Sequence, residues 1–282
     1  MILIADSGST KTDWRILQNN TVVGQIQTVG FNPYYQDTDS IANELKQTLL
    51  PYCQDDIHEV YFYGTGVTST EKADIIEKAL RQVFERLWSV NIQSDVVGAA
   101  KAACGHHKGI ACILGTGSNS CYFDGEKIAF QVPPLGFWLG DEGSGGHLGK
   151  SLVLSYLHKE IPIDLRQLFE EKYGVMDRLT ILDNAYQKPF PNRYFASFSR
   201  FLHENLQHQF CHNLVANCFT QFFDKYILKY PMCSEAALNF VGSVGFYYEN
   251  ILREVASSKN LMVGNVLGAP INGLVKYHSH HI

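Results

Sequence analysis

DSGSTKTD (residues 6–13) and GTGSNS (residues 115–120) each interrupt a strand-rich stretch, and the same order of elements follows both. Before the first loop an apolar strand over 2–5 runs into Asp6; beyond it come a strand over 13–17, an Asn19-Asn20 turn and a strand over 22–27. A helix from Ser40 follows, with Ile41, Leu45 and Leu49 on one face, then a strand over 59–63. A helix capped by Thr70 carries Ile76, Leu80, Val83 and Leu87, and a strand over 90–94 leads to an Ala-rich helix over 96–104. The order is βββαβαβα.

The second loop opens the same series. Strands are predicted over 110–114, 120–123 and 127–132, with Asp124-Gly125 suited to a type I′ hairpin, and a helix over 144–158 follows. A helical insertion over about 164–230 intervenes. Strand 237–241, helix 244–257, strand 260–263 and a last helix from Ala269 then complete the second βββαβαβα. The sequence therefore predicts an α/β protein of two duplicated lobes, hinged near the Gly105–Gly109 break. Turns rich in Gly, Ser and Thr let several backbone N–H groups approach phosphate oxygens. Asp6, Ser9 and Thr10 in one loop and Gly115, Thr116 and Gly117 in the other fit that task. Their recurrence at matching positions points to a nucleoside triphosphate held between the lobes.

Composition narrows the class. The 282 residues are 45% hydrophobic, enough for two cores, and the net charge of -5 with no Lys/Arg-rich run excludes a nucleic-acid partner. No stretch reaches the ~18 apolar residues of a membrane span, so a cytoplasmic protein without a membrane partner is expected. Seven cysteines form no CxxC pair, and Cys104, Cys112, Cys121 and Cys218 sit in apolar runs, the pattern of reduced thiols. Competing phosphate loops fail: the nearest approach to GxxxxGK[ST] is 144–151, which begins with Ser, and neither GxGxxG nor GxSxG occurs.

Several residues carry two readings. Asp95 ends a strand at the edge where ligands of open α/β sheets bind; it is either a general base for a hydroxyl or a helix N-cap. In GFWLGDEGSGGHLGK (136–150), Asp141 or Glu142 can hold Mg²⁺ through water or grip substrate hydroxyls, or merely cap the helix that Ser144 starts. Asn32 in GFNPYY is a turn residue or an amide aimed at a sugar. FVGSVG (240–245) and GNVLGAPING (264–273) are strand, Gly turn and helix, able to clasp an adenosine or to serve as ordinary connections. His208 and His212, four apart beside Cys211, lack the Glu of HExxH and read as an exposed face rather than a metal site. His278, His280 and His281 read as a frayed tail, and the sequon at Asn19 as idle.

ADSGSTKTD, SDVVGAAKAA, ILGTGSNS, GDEGSGG and VGSVG, in that order over nearly the whole chain, resemble the N-acetylglucosamine kinase and BadF/BadG/BcrA/BcrD-type ATPase family. This family lies in the actin-like ATPase and sugar-kinase superfamily. The resemblance implies two ribonuclease H-like lobes, 1–105 and 106–282, with the helix over 269–282 packing back on the first. It implies ATP bound through Ser9, Thr10, Lys11, Gly115, Thr116, Gly242, Ser243 and Gly268, and Mg²⁺ near Asp6 through water. It further implies Asp95 as the base and Asn32, Gly117, Asn119 and Asp141 as amino-sugar contacts. Two departures stand out: Ser7 and Ser9 replace glycines of the first loop, and residues 133–139 differ from the amino-sugar kinase pattern.

The expectation is an ATP-dependent kinase for the 6-hydroxyl of N-acetylglucosamine or a related N-acetylhexosamine. Its rivals are an activator ATPase that couples hydrolysis to a partner protein and a sugar sensor without catalysis. The apolar surface of the insertion suffices for a homodimer.

Overall fold

A computed structural model of the chain describes residues 1–8, 10–53 and 57–279. Ser9, His280 and His281 lie outside the described residues. The chain divides into two compact units, one of 1–107, 125–127 and 269–282, the other of 108–124 and 128–268.

The first unit opens with β1 (Ile2–Ser7), β2 (Lys11–Gln18) and β3 (Thr21–Val29), followed by α1 (Thr38–Thr48), β4 (Glu59–Gly64), α2 (Thr70–Val83), β5 (Ser89–Ser94) and α3 (Asp95–Cys104). Its sheet runs β3-β2-β1-β4-β5. The central strand is apolar on both faces because both are covered: Leu3, Ile4 and Ala5 are fully buried. Each such Leu or Ile contributes roughly 1.5–3 kcal/mol by leaving water. Trp14, also fully buried, places its indole N–H on Thr28 Oγ1 at 3.0 Å, so the largest side chain of this core leaves no orphaned donor. Asp37 caps α1 by accepting from Ser40 N–H at 2.8 Å, and Ser69, rather than the expected Thr70, caps α2 because it is the extended residue whose hydroxyl accepts from Lys72 N–H.

The second unit repeats the pattern. It comprises β6 (Gly109–Leu114), β7 (Ser118–Phe123), β8 (Ile128–Phe130), a short α4 (Gly136–Leu139) and α5 (Gly145–Leu157). The insertion follows as α6 (Ile163–Tyr173), α7 (Arg178–Tyr186), α8 (Pro191–Ser197), α9 (Ser199–Glu204) and α10 (Gln209–Lys225). Then come β9 (Leu238–Val241), α11 (Ser243–Tyr247), α12 (Glu249–Ser258) and β10 (Val263–Leu267). The sheet order β10-β9-β6-β7-β8 is the first sheet's order read from the other edge, so the predicted duplication holds. Residues of α5, α6, α9 and α10 share one core with β6 and β9, among them Leu148, Phe169, Leu202, Phe219 and Phe222.

Four further local expectations are corrected. Asp124-Gly125 is not a two-residue type I′ turn: only Gly125 has positive φ, and 124–127 separate β7 from β8. The last strand lies at Val263–Leu267 rather than 260–263, because Asn260 takes the left-handed conformation that ends α12. The helix expected over 244–257 is two, α11 and α12, meeting at Tyr248, whose φ of -106° and ψ of 21° leave the helical range. His278 is not frayed. It lies in α13 (Ile271–Ser279) of the first unit, is 6% exposed, and its Nε2 sits 2.9 Å from the Tyr63 hydroxyl. The apolar residues Ile271 and Leu274 bury against Ile4, Leu17 and Tyr63, and that burial holds the histidine in place.

Candidate active site

Sheet register assembles the candidate site residues of the first unit. Asp6 lies opposite Asp13 on β2 and beside Tyr63 on β4, while Gly64 pairs with Ser94 on β5. The carboxyl ends of three parallel strands therefore present Asp6, Thr65 and Asp95 at one sheet edge, where ligands of open α/β sheets collect. Ser7 is not among the groups free to bind. Its Oγ accepts from Phe31 N–H at 3.1 Å and contacts Thr12 Oγ1 at 2.7 Å, and Thr12 Oγ1 donates to Val29 carbonyl at 3.0 Å. This buried relay ties the loop to β3, and it gives the serine that replaces a glycine a structural task. Thr10 is exposed at the hairpin tip, with its carbonyl accepting from Gly30 N–H at 3.0 Å.

Burial perturbs Asp6 electrostatically. Desolvation raises its pKa from 3.8 to about 7, with the charges of Asp13 and Asp95 adding to the rise and Lys11 opposing it. Lys11 is engaged elsewhere, 3.0 Å from Asp13 Oδ2. Three carboxylates against one ammonium leave this edge short of positive charge.

Asp95 is not the N-cap that its position suggested. Ser94 occupies that place without a side-chain bond, and Asp95 is the first residue of α3. Its Oδ2 accepts from Thr65 Oγ1 at 2.8 Å. Burial raises its pKa, and the Thr65 hydroxyl and the N–H groups opening α3 offset only part of the rise. Asn32 does form the turn, its Oδ1 accepting from Tyr34 N–H at 3.0 Å. A Cβ on Gly66 would fall 2.4 Å from that oxygen, so Gly66 lets the amide lie close to the Thr65 segment.

The second unit uses equivalent positions of its own sheet. Gly115, Thr116 and Gly117 turn between β6 and β7, and the first two carbonyls are tied to α5: Gly145 N–H donates to Gly115 O at 2.8 Å and Gly146 N–H to Thr116 O at 3.0 Å. Asp141, left-handed at φ 59°, turns its carboxylate onto this hairpin. Ser118 N–H donates to Asp141 Oδ1 at 3.2 Å, and a Cβ on Gly117 would meet Oδ2 at 2.8 Å. Burial raises the Asp141 pKa, with Glu142 adding and the Ser118 N–H and Lys150 opposing. Asn119 Oδ1 accepts from Gln131 Nε2 at 3.0 Å.

Glu142 does something different. Its carboxylate is occupied by Lys225 Nζ and by the Tyr226 hydroxyl at 3.0 Å. Burial pushes its pKa up, yet these partners win and hold it below the usual range. Glu142 thus anchors the loop to the end of α10, leaving Asp141 as the acid turned toward the hairpin. His147 Nδ1 accepts from Gly143 N–H at 3.1 Å, and burial lowers its pKa to about 4, so the ring is neutral at pH 7.

Gly242 and Gly268 end the parallel strands β9 and β10, and Gly242 N–H donates to Leu267 O at 2.8 Å. Gly242 has φ 121°, and a Cβ there would lie 2.4 Å from Leu114 O, so no other residue fits. Ser243 opens α11 and lines a cavity of about 570 Å³ with Arg200, His203, Val244 and Tyr247. The His203 ring stands edge-on to Tyr247, centroids 5.3 Å apart.

No protein-family model matches the chain, and no curated protein matches it. Among solved structures, a proposed N-acetylglucosamine kinase from Porphyromonas gingivalis is 42% identical at a TM-score of 0.94, over 100% of this chain and 99% of that one. The chain belongs to the N-acetylglucosamine kinase family. A second proposed N-acetylglucosamine kinase, from Chromobacterium violaceum, shares the fold at 14% identity and a TM-score of 0.76, over 98% of both chains. A ROK family glucokinase from Streptomyces griseus, solved with glucose and AMPPNP, shares it more distantly, at 12% identity and a TM-score of 0.55, over 98% of this chain and 97% of that one.

In this family member the sequence reading missed Thr65, although GTG at 64–66 follows a strand just as GTG at 115–117 does. It also missed Lys225 and Tyr226, which carry no local signal because their role depends on α10 reaching Glu142. No group of three or more His, Cys, Asp or Glu side chains able to hold a metal ion occurs among the described residues. No helix among them is long and apolar enough to cross a membrane.

Proposed function

We propose that this sugar kinase transfers the γ-phosphoryl group of ATP to the 6-hydroxyl of N-acetylglucosamine or a related N-acetylhexosamine. The observation that carries the reading is Asp95: a carboxylate at the sheet edge, oriented by Thr65 and raised in pKa by burial, which is how a general base for an alcohol is built. Asp95 accepts the hydroxyl proton as the sugar oxygen attacks phosphorus in line. The exposed hydroxyls of Thr10 and Thr116 and the Lys11 ammonium bind phosphate oxygens and screen their charge, whereas the Gly115 N–H is already given to Gly117 O at 3.0 Å. Ser9 has the same assignment by its place in the loop.

Gly242, Ser243 and Gly268 hold the nucleoside, for which the cavity beside Ser243 supplies the volume. The sugar is gripped by the Asn32 and Asn119 amides, the Gly117 backbone and the Asp141 carboxylate. Mg²⁺ fits the charge deficit around Asp6 and would be held through water, since the acids do not form a direct ligand set among the described residues. When bound, it neutralises phosphate charge. A cytoplasmic setting suits the need for ATP and cysteines that form no disulfide among the described residues.

Coupled ADP release over a panel of amino sugars tests the reading. Turnover that rises with an N-acetylhexosamine supports it. ATP hydrolysis indifferent to sugar would favour the activator ATPase instead, and sugar binding without turnover a sensor.

A further inference from the structure

The turn that carries Asn32 is closed by its own side chain, whose Oδ1 accepts from Tyr34 N–H at 3.0 Å, while Asn32 N–H donates to Gln36 Oε1 at 2.8 Å. A backbone N–H demands an acceptor, so the bond to Tyr34 fixes which way the amide lies and leaves the two N–H donors of Nδ2 for a ligand. The turn is then tied to the base on both sides. On one, Phe31 N–H reaches Ser7 Oγ, and the Ser7 carbonyl accepts from Thr65 N–H at 2.9 Å. On the other, the Tyr34 hydroxyl and Thr68 Oγ1 share a hydrogen bond at 2.7 Å. The Tyr34 ring lies against Gly66, where a Cβ would meet its Cδ2 at 3.3 Å. Lys72 of α2 adds a third hold, its ammonium 4.4 Å from the Tyr34 ring centroid and donating to the Pro33 carbonyl at 2.8 Å. These links run from Ser7 through Phe31, Asn32 and Tyr34 to Thr68 and back along the chain to Thr65, which orients Asp95. Tyr34 is 56% exposed and Thr68 is exposed as well. Water replaces a bond between two exposed hydroxyls when it opens, so this bond contributes little to stability; what it fixes is position.

We propose that Tyr34, with Thr68 and Lys72, is a positioning clasp for the acceptor sugar: it holds the Asn32 amide in a set place relative to Thr65 and Asp95, so that Nδ2 grips an acceptor oxygen of the sugar while the hydroxyl to be phosphorylated meets the base. The proposal rests on the sugar-kinase reading of the same site. Tyr34, Thr68 and Lys72 act through Asn32 rather than on the sugar. Loss of the clasp lets the turn drift, which weakens the grip in the ground state and the transition state alike. Asp95 keeps its own bond to Thr65, so the chemical step is spared.

Steady-state kinetics and calorimetric titration of the full chain with N-acetylglucosamine test it. Tyr34→Phe and Thr68→Val should each raise the sugar KM and Kd about fivefold, the order of one hydrogen bond, with kcat and the ATP KM within about twofold of wild type. Both substitutions remove the same bond, so the double variant should be no weaker than either single one. Thr68→Ser, which keeps the hydroxyl, should bring the sugar KM back to within about twofold of wild type. A merely structural role would instead lower the melting temperature and raise both KM values together. That result would overturn the proposal, as would an unchanged sugar KM or effects that add in the double variant. If the wild type binds the sugar without turning it over, the kinase reading fails separately and the titration decides: weaker binding in Tyr34→Phe sustains the clasp, and equal binding ends it. Absence of sugar binding by the wild type ends it too.

Discussion

The Thr65 hydroxyl donates to Asp95 Oδ2 at 2.8 Å, joining the end of β4 to the start of α3. A bond to the ionised form holds the pKa down against the burial that raises it, so Thr65 tunes Asp95 as well as orienting it. Thr65→Val should move the acid limb of kcat/KM to higher pH by about half to one pH unit, the equivalent of one hydrogen bond of roughly 1 kcal/mol. A base works only when deprotonated, so activity below the limb falls and activity above it changes little. A pH–rate profile with an unmoved limb would show that the bond is not tuning the base.

Asp95→Asn keeps the shape and removes the proposed base. Sugar-dependent ADP release should drop ~10²- to 10⁴-fold, the usual contribution of a positioned carboxylate. Nucleotide affinity measured by titration should stay within about threefold, because Asp95 is assigned no nucleotide contact. Full activity in this variant would remove the catalytic assignment.

Asp6 makes a prediction about stability. Its folded pKa of about 7 lies above the ordinary 3.8, so the folded state keeps a proton that the unfolded chain releases between these values. Its contribution to stability is therefore greatest below pH 3.8 and is lost as pH rises to about 7. Asp6→Asn should raise the melting temperature at pH 8 and do little at pH 4, because each tenfold change in proton affinity on folding corresponds to about 1.4 kcal/mol before relaxation of the site. Millimolar Mg²⁺ should raise the wild-type melting temperature at pH 8 and leave Asp6→Asn less affected. Equal gains at both pH values would show that the effect is not ionisation.

Gly242→Ala should destabilise the protein by roughly 1–3 kcal/mol or more, since it combines a φ of 121° with a Cβ placed 2.4 Å from Leu114 O. At Gly268 the nearest atom to an added Cβ is Phe246 Cγ at 3.4 Å, an ordinary contact, so Gly268→Ala should fall within about 0.5 kcal/mol of wild type. Urea unfolding of the pair checks the contrast. Similar midpoints would mean that the turn at 242 can relax.

Much of the architecture was legible because duplication is a property of element order, and order survives errors in boundaries. Hydrophobic period located β1 and β6 as continuous apolar runs, and the polar turns at 6–13 and 115–120 stood out against them. Local geometry was less legible. Asp124-Gly125 has the composition of a tight hairpin, but a dipeptide does not reveal that 125–127 pack with the first unit, where a Cβ on Gly125 would meet His106 O at 2.8 Å.

By itself the sequence determined the two repeated βββαβαβα series, the two Gly/Ser/Thr hairpins and the acids that close their strands, because periodicity and turn chemistry act over a few neighbouring residues. Only the tertiary structure decided which acids are free to work. Asp141 and Glu142 are adjacent in the chain, yet one faces the Gly117-Ser118 hairpin and the other is paired with Lys225 and hydrogen-bonded by Tyr226. Asp95 likewise changed from a nominal cap to the partner of Thr65, thirty positions away. Charge and burial depend on what packs nearby, and packing partners are set by the fold rather than by spacing along the chain.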